Sequence, residues 1–288
     1  NEDFETSRYS ASLARTVHIG ELGLDGRLRP VAGVLPAVVA AARAGLTHVV
    51  VPRANEDEAR LVAGMTVVGA VSLGDVALWH GADLEPSELA PVPAALVPAS
   101  RPSAGDLSEV IGQHEAVDAL IAAAAGGHHM LMCGPPGAGK TMLASRLPGI
   151  LPDLDDEAAL EVSSIRSLSG IGIDGLVREP PFESPHHSAS VAALVGGGSR
   201  VVRPGAIARA TNGVLFLDEA AEFASSALDA LRQPLETGSI TIHRSGVTAA
   251  FPARFQLVMA TNPYPCGNYG APGGSCVCPP NQVRRYLG

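Results

Sequence analysis

Residues 130–142 read Met130-Leu131-Met132-Cys133-Gly134-Pro135-Pro136-Gly137-Ala138-Gly139-Lys140-Thr141-Met142, an apolar run that breaks into a glycine-rich turn and resumes as a helix-forming segment. The spacing G-x-x-x-x-G-K-T between a strand and a helix has a physical meaning. Glycines let successive backbone N–H groups curl around a phosphate, and the helix that follows adds the positive end of its dipole. Lys140 is then placed to reach the β- and γ-phosphates as a point charge, and the Thr141 hydroxyl to ligate Mg²⁺. The stretch predicts an α/β fold that binds ATP, with residues 134–142 around the phosphates.

Two further apolar runs end in polar groups. Val214-Leu215-Phe216-Leu217 runs into Asp218-Glu219, where a parallel strand would leave its sheet. Asp218 is expected to hold Mg²⁺ and Glu219 to polarise an attacking water as general base. Phe255 to Ala260 is followed by Thr261-Asn262; Asn262 either orients that water or touches the γ-phosphate, unless it is only a turn former before Pro263. Lys140, Asp218, Glu219 and Asn262 are the expected catalytic set.

At 288 residues the chain has room for about two domains. The Pro-rich stretch 82–105 breaks both helix and ladder patterns and reads as a linker, giving domains at 1–81 and 106–288. Upstream, an Ala-rich helix at Pro36 to Gly45 precedes a strand at Thr47 to Val51; a second cycle has Asn55 as N-cap of a helix over Glu56 to Val62, then a strand at Met65 to Val68. Downstream, His114 to Ala125 predicts a helix closed by Gly126-Gly127, and His128 to Cys133 a short buried strand in which Cys133 is a small apolar filler. Ser239 to His243 and Val247 to Phe251 flank a Gly-containing turn and predict a hairpin.

Composition narrows the function classes. Hydrophobic residues are 46% and charged ones 17%, and no stretch reaches the roughly 18 uncharged apolar residues of a membrane span. The N-terminus lacks the basic start and apolar core of a signal peptide, so a cytoplasmic protein without a membrane partner is expected. A net charge of −9 argues against nucleic-acid binding over the whole surface and leaves local basic patches open.

Taken together, the phosphate loop, the Asp218-Glu219 box and Asn262 resemble those of the AAA+ ATPases. In that resemblance, the segment Asp106 to Gln113, with Ile111 and Gly112, lies beside the adenine. Pro181-Phe182-Glu183-Ser184-Pro185-His186-His187-Ser188, Gly196-Gly197-Gly198-Ser199, Arg203-Pro204-Gly205 and Asn212-Gly213 resemble the magnesium-chelatase-like branch called YifB or ComM. His18 to Leu22, Asp25 to Leu28 and Ala42 to Gly45 resemble the Lon-protease-like domain that precedes the motor there.

The resemblance implies a P-loop parallel sheet sandwiched by helices after a truncated Lon-like α/β domain. It implies a hexameric ring of identical subunits that hydrolyses ATP and moves along DNA in recombination or transformation. A metal-insertion motor and a nucleotide-switched module with little turnover are the alternatives. Residues 181–209 and the 239–251 hairpin would project toward the ring's channel, and Arg200, Arg203 and Arg209, set against Glu183 alone, could follow a phosphate backbone. No lysine occurs at Gly33-Val34-Leu35-Pro36-Ala37, so the protease chemistry of Lon is not expected. An arginine finger and lid would follow Gly288, so feeble turnover is expected from these residues alone.

Three cysteines, Cys266, Cys276 and Cys278, crowd into thirteen positions and could surround Zn²⁺. A fourth ligand is missing, with Tyr264 where the resembling family commonly has another cysteine, and reduced thiols are the alternative. His186-His187 reads as a loop-packing pair rather than a metal site, because adjacent side chains diverge in extended chain. Arg232 either reaches a neighbouring subunit's nucleotide or makes a surface ion pair.

Overall fold

The computed structural model describes residues 12–86, 88–94, 105–198, 202–244, 247–264, 266, 276 and 278–281. Two units are distinguished: residues 1–100 together with 163–177, and residues 101–162 together with 178–288.

In the first unit, β1 (Thr16–His18), β2 (His48–Pro52) and β3 (Thr66–Ala70) form a parallel sheet in that order. Strand β2 is apolar on both faces because helices cover both. Val49 and Val51 pack with Val34 and Val38 of α1 (Val34–Arg43) and Ala59 of α2 (Glu56–Ala59). Val50 points the other way, onto Val76 of α3 (Leu73–Trp79). A capping box starts α3: Ser72 Oγ accepts from Asp75 N at 3.2 Å, and the Asp75 carboxylate accepts from Ser72 N at 3.0 Å.

Asn55 departs from its expected role. Its side chain makes no cap bond to α2, which ends at Ala59 rather than Val62. Instead the carboxamide pairs with Val31, accepting from its N–H and donating to its carbonyl, both at 3.1 Å. A buried amide satisfied on both sides by one backbone residue stabilises more than an exposed cap would.

The second unit is built on four parallel strands. Strands β4 (Met130–Cys133), β5 (Phe182–Glu183), β6 (Val214–Leu217) and β9 (Gln256–Thr261) lie in the spatial order β4-β9-β6-β5. All neighbours are parallel, with Val258 opposite Met130, Val214 opposite Gln256, and Phe182 opposite Val214. Strand β6 is central and fully buried along its length. On one face, Val214 and Phe216 with Val258 and Ala260 meet Leu120 of α4 (His114–Gly126) and Leu143 and Ala144 of α5 (Lys140–Arg146). Burying a side chain the size of Phe216 contributes about 2–3 kcal/mol.

Strand β4 corrects the expectation of a buried strand. Successive side chains point to opposite faces and one face is left open: Leu131 is 59% exposed and Cys133 is exposed, not an interior filler. Phe182-Glu183, read from the sequence as the start of a projecting insertion, is the opposite edge of the sheet. Beyond it, Gly196–Gly197 pairs with Arg203–Pro204 in a two-stranded antiparallel ribbon. The hairpin forms as expected, with β7 (Ser239–Arg244) antiparallel to β8 (Val247–Pro252). Residues 82–86 and 88–94 carry no regular secondary structure, and no helix among the described residues is long and apolar enough to cross a membrane. The second unit has the α/β organisation of a P-loop AAA+ fold.

Candidate functional site

Parallel strands with helical crossovers bring their carboxyl ends to one edge of a sheet, where ligand crevices form. Here Gly134 follows β4, Asp218-Glu219 follow β6, and Asn262 follows β9. Asp218, Glu219 and Asn262, with residues 136–142, line a cavity of about 400 Å³, within the range of ligand-sized pockets. Gly137 and Gly139 have φ of +77° and +84°, which a side chain would strain, and the turn between Gly134 and α5 depends on that freedom.

Lys140 stands at the centre of the site. Its ammonium donates to the carbonyls of Gly134 at 2.7 Å and Pro135 at 3.1 Å, and to Asn262 Oδ1 at 3.1 Å. Asn262 is thus joined to the phosphate loop across 122 residues of chain. The Thr141 hydroxyl donates to Asp218 Oδ2 at 2.6 Å, and the other Asp218 oxygen accepts from Glu219 N at 2.9 Å. Neighbouring ligands of an octahedral Mg²⁺ lie about 3 Å apart, given bonds near 2.1 Å, and are hard oxygens. The Thr141–Asp218 pair fits that cation in spacing and in donor type.

Glu219 has φ of +53°, an uncommon conformation for a residue with a side chain. Its carboxylate lies 2.8 Å from His187 Nδ1, an ion-pair contact. The expectation that the two histidines merely pack a loop misses this contact. Residues 187 and 188 form a turn rather than extended chain, which leaves the His186 and His187 rings 4.1 Å apart instead of on opposite sides. His186 Nδ1 lies 2.8 Å from Ser188 Oγ.

The segment expected beside the adenine is anchored to the loop at both ends. Arg146, in the last turn of α5, donates to the Asp106 carbonyl at 3.0 Å and pairs with Glu109 at 3.1 Å. Gln113, at φ +54°, donates to the Ala138 carbonyl at 2.7 Å. Hydrogen bonds from Ser108 hold the Asp106 carboxyl below the usual range. Between these anchors Ile111 is 96% exposed and Gly112 takes φ +77°. Arg146 did not stand out in the sequence, being a common residue type outside any motif, and Gln113 is legible there only as the last residue of the Asp106 to Gln113 segment.

Of the three basic candidates in residues 181–209, Arg200 lies outside the described residues and Arg203 is exposed. Arg209 is not a free cation: it donates Nε and Nη2 to Glu183 Oε2 at 3.0 and 2.9 Å and Nη1 to the Pro204 carbonyl. Arg232 pairs with Asp229 at 3.2 Å in an exposed contact. The thiols of Cys266, Cys276 and Cys278 converge, with hydrogen bonding to Cys266 and burial pushing the Cys278 thiol up to about 11.

Comparison with known proteins agrees with this architecture. The family described as "Magnesium chelatase, subunit ChlI" matches residues 106–288, and that described as "Subunit ChlI of Mg-chelatase" matches residues 5–55. An uncharacterized protein of Mycobacterium tuberculosis is 52% identical over 278 residues, 96% of this chain and 54% of its own length. Competence protein ComM of Haemophilus influenzae is 46% identical over 271 residues, and protein YifB of Escherichia coli 46% over 270, each covering 93% of this chain and 52% of the relative. The chain thus spans about half the length of these relatives. A cryo-EM-based BchI–BchD complex of magnesium chelatase aligns with a TM-score of 0.43 at 25% identity, over 62% of this chain and 58% of that one. With its phosphate loop, carboxylate pair and strand order in place, the chain belongs to the magnesium chelatase ChlI family, as a member of the YifB/ComM type.

Proposed function

We propose that the chain binds MgATP and hydrolyses it, as the motor part of a longer subunit that works in a hexameric ring on DNA. The observation carrying this reading is the convergence of Lys140, Thr141, Asp218, Glu219 and Asn262 on one cavity from three strand ends. Thr141 and Asp218 hold the cation, and loop N–H groups with Lys140 hold the phosphates. When bound, Mg²⁺ neutralises charge on the β- and γ-phosphate oxygens. Glu219 takes the proton of the attacking water as that oxygen bonds to the γ-phosphorus and the bond to the β–γ bridging oxygen breaks.

Ring assembly and DNA are supported by the resemblance, and work on DNA also by the name competence protein that the Haemophilus relative carries. The resemblance further supports a Lon-like scaffold at 1–81 joined through 82–105 to the motor at 106–288.

The test is calorimetry with MgATP and phosphate-release kinetics on the chain and two variants. Lys140→Ala should weaken MgATP binding about 10- to 150-fold, the range of a charge-assisted hydrogen bond. Glu219→Gln should keep affinity within a few fold and lower kcat on the order of 10²- to 10⁴-fold. Unchanged turnover in Glu219→Gln would replace the motor with a nucleotide-switched binding module, and an absence of binding heat in the unaltered chain would end both.

A further inference from the structure

The three clustered cysteines have no part in the nucleotide site. Their Sγ atoms all lie within 4.8 Å of one another, and Cys266 Sγ is 3.6 Å from Cys276 Sγ. Sulfurs around a tetrahedral Zn²⁺ with bonds of about 2.3 Å sit about 3.8 Å apart. The three thiols therefore stand near the spacing that such a cation imposes.

A disulfide accounts for the convergence less well. It would join two sulfurs and leave no reason for the third to be drawn in, whereas a cation uses all three. Sequence supports the same grouping: Cys276 and Cys278 are two apart, so both face one side where the chain is extended, and Cys266 approaches from ten residues earlier. Soft thiolates select Zn²⁺ over the hard Mg²⁺ that the oxygens of Thr141 and Asp218 suit. Among the described residues the cluster contains no fourth histidine, cysteine or carboxylate.

We propose that Cys266, Cys276 and Cys278 form a thiolate site for Zn²⁺, which clasps the chain a few residues after Asn262. Held this way, the segment following β9 is tied down just past the residue that bonds Lys140. The site requires no nucleotide and stands or falls apart from the ATPase reading.

The experiment uses Co²⁺ and Zn²⁺ alone as probes on the whole chain, reduced and stripped of metal. Co²⁺ should bind at one equivalent per chain with a thiolate-to-cobalt charge-transfer band, and Zn²⁺ should displace it. Cys276→Ser should weaken Co²⁺ binding at least about 10-fold, and the triple Cys→Ser variant should lose the band while keeping its heat of MgATP binding. A second readout needs no variant: Zn²⁺ should slow alkylation of the three clustered thiols and leave that of exposed Cys133 unchanged. A spectrum without a thiolate band, a band surviving in the triple variant, or equal alkylation of all four cysteines with and without Zn²⁺ would overturn the proposal. So would a Cys266–Cys276 disulfide in freshly isolated, metal-free protein.

Discussion

His187 Nδ1 lies 2.8 Å from the Glu219 carboxylate, bringing the segment after β5 against the residue proposed to activate water. A carboxylate held by a neighbouring side chain is less free to turn toward water. The contact therefore restrains Glu219, and whatever displaces His187 releases it.

His187→Ala should raise basal turnover while nucleotide affinity stays within about two-fold. Both side chains are partly exposed, at 33% and 53%, and such pairs are worth about 0.2–1 kcal/mol, so the gain is about 1.4- to 5-fold in kcat. Phosphate release under saturating MgATP measures it. A fall in kcat would show that His187 aims Glu219 rather than restraining it.

Positions behind the site should control its stability. Phe216 is fully buried, with its ring 5.9 Å from that of Phe182, so Phe216→Ala should cost about 3–5 kcal/mol. A Cβ at Gly213 would lie 2.2 Å from the Pro181 carbonyl oxygen, a backbone atom that cannot swing aside. Gly213→Ala should therefore cost about 1–3 kcal/mol or more despite its small size. Urea denaturation followed by circular dichroism reads both, and a Gly213→Ala midpoint equal to that of the parent would contradict the packing described.

The first unit should weaken in mild acid. Burial, followed by the charge of His80, lowers the His18 pKa, and the two Nε2 atoms are 2.9 Å apart. The folded state then binds fewer protons than the unfolded one below the ordinary histidine pKa of about 6.5. Stability is unaffected by this group above that pH and is lost as pH falls through the window beneath it. Trp79, the single tryptophan, touches His80 at 4.6 Å and reports this unit by fluorescence. His18→Asn should flatten the acid dependence of its urea midpoint.

The proposed binding to DNA should separate two arginines that the sequence treats alike. Arg209 is occupied by Glu183, so Arg209→Ala should leave the slope of log affinity against log salt unchanged. Arg203→Ala should reduce that slope by about 1 if it meets a phosphate. Equal effects from the two would count against the distinction.

The residues most readily found in the sequence are those whose chemistry is contiguous. Gly134 to Thr141 needs its glycines, lysine and threonine at fixed spacing in one turn, and Asp218-Glu219 needs only the end of an apolar strand. The paired apolar runs Ser239 to His243 and Val247 to Phe251 announce their hairpin for the same local reason. Asn55 was misleading because capping residues are recognised by type, whereas this amide is used by Val31, 24 residues away. Cys133 misleads because an apolar run does not state which of its two faces will be covered; in β4 alternate side chains face outward.

The sequence by itself determined the phosphate loop, the carboxylate pair and the parallel α/β character, since bond geometry and local periodicity dictate them. Only the tertiary structure decided that Lys140 bonds Asn262, that Gln113 holds the Ala138 carbonyl, that Glu183 occupies Arg209 and that His187 engages Glu219. Each joins groups 25 or more residues apart, and which distant partner a polar group meets depends on strand order and helix packing, which no local pattern encodes.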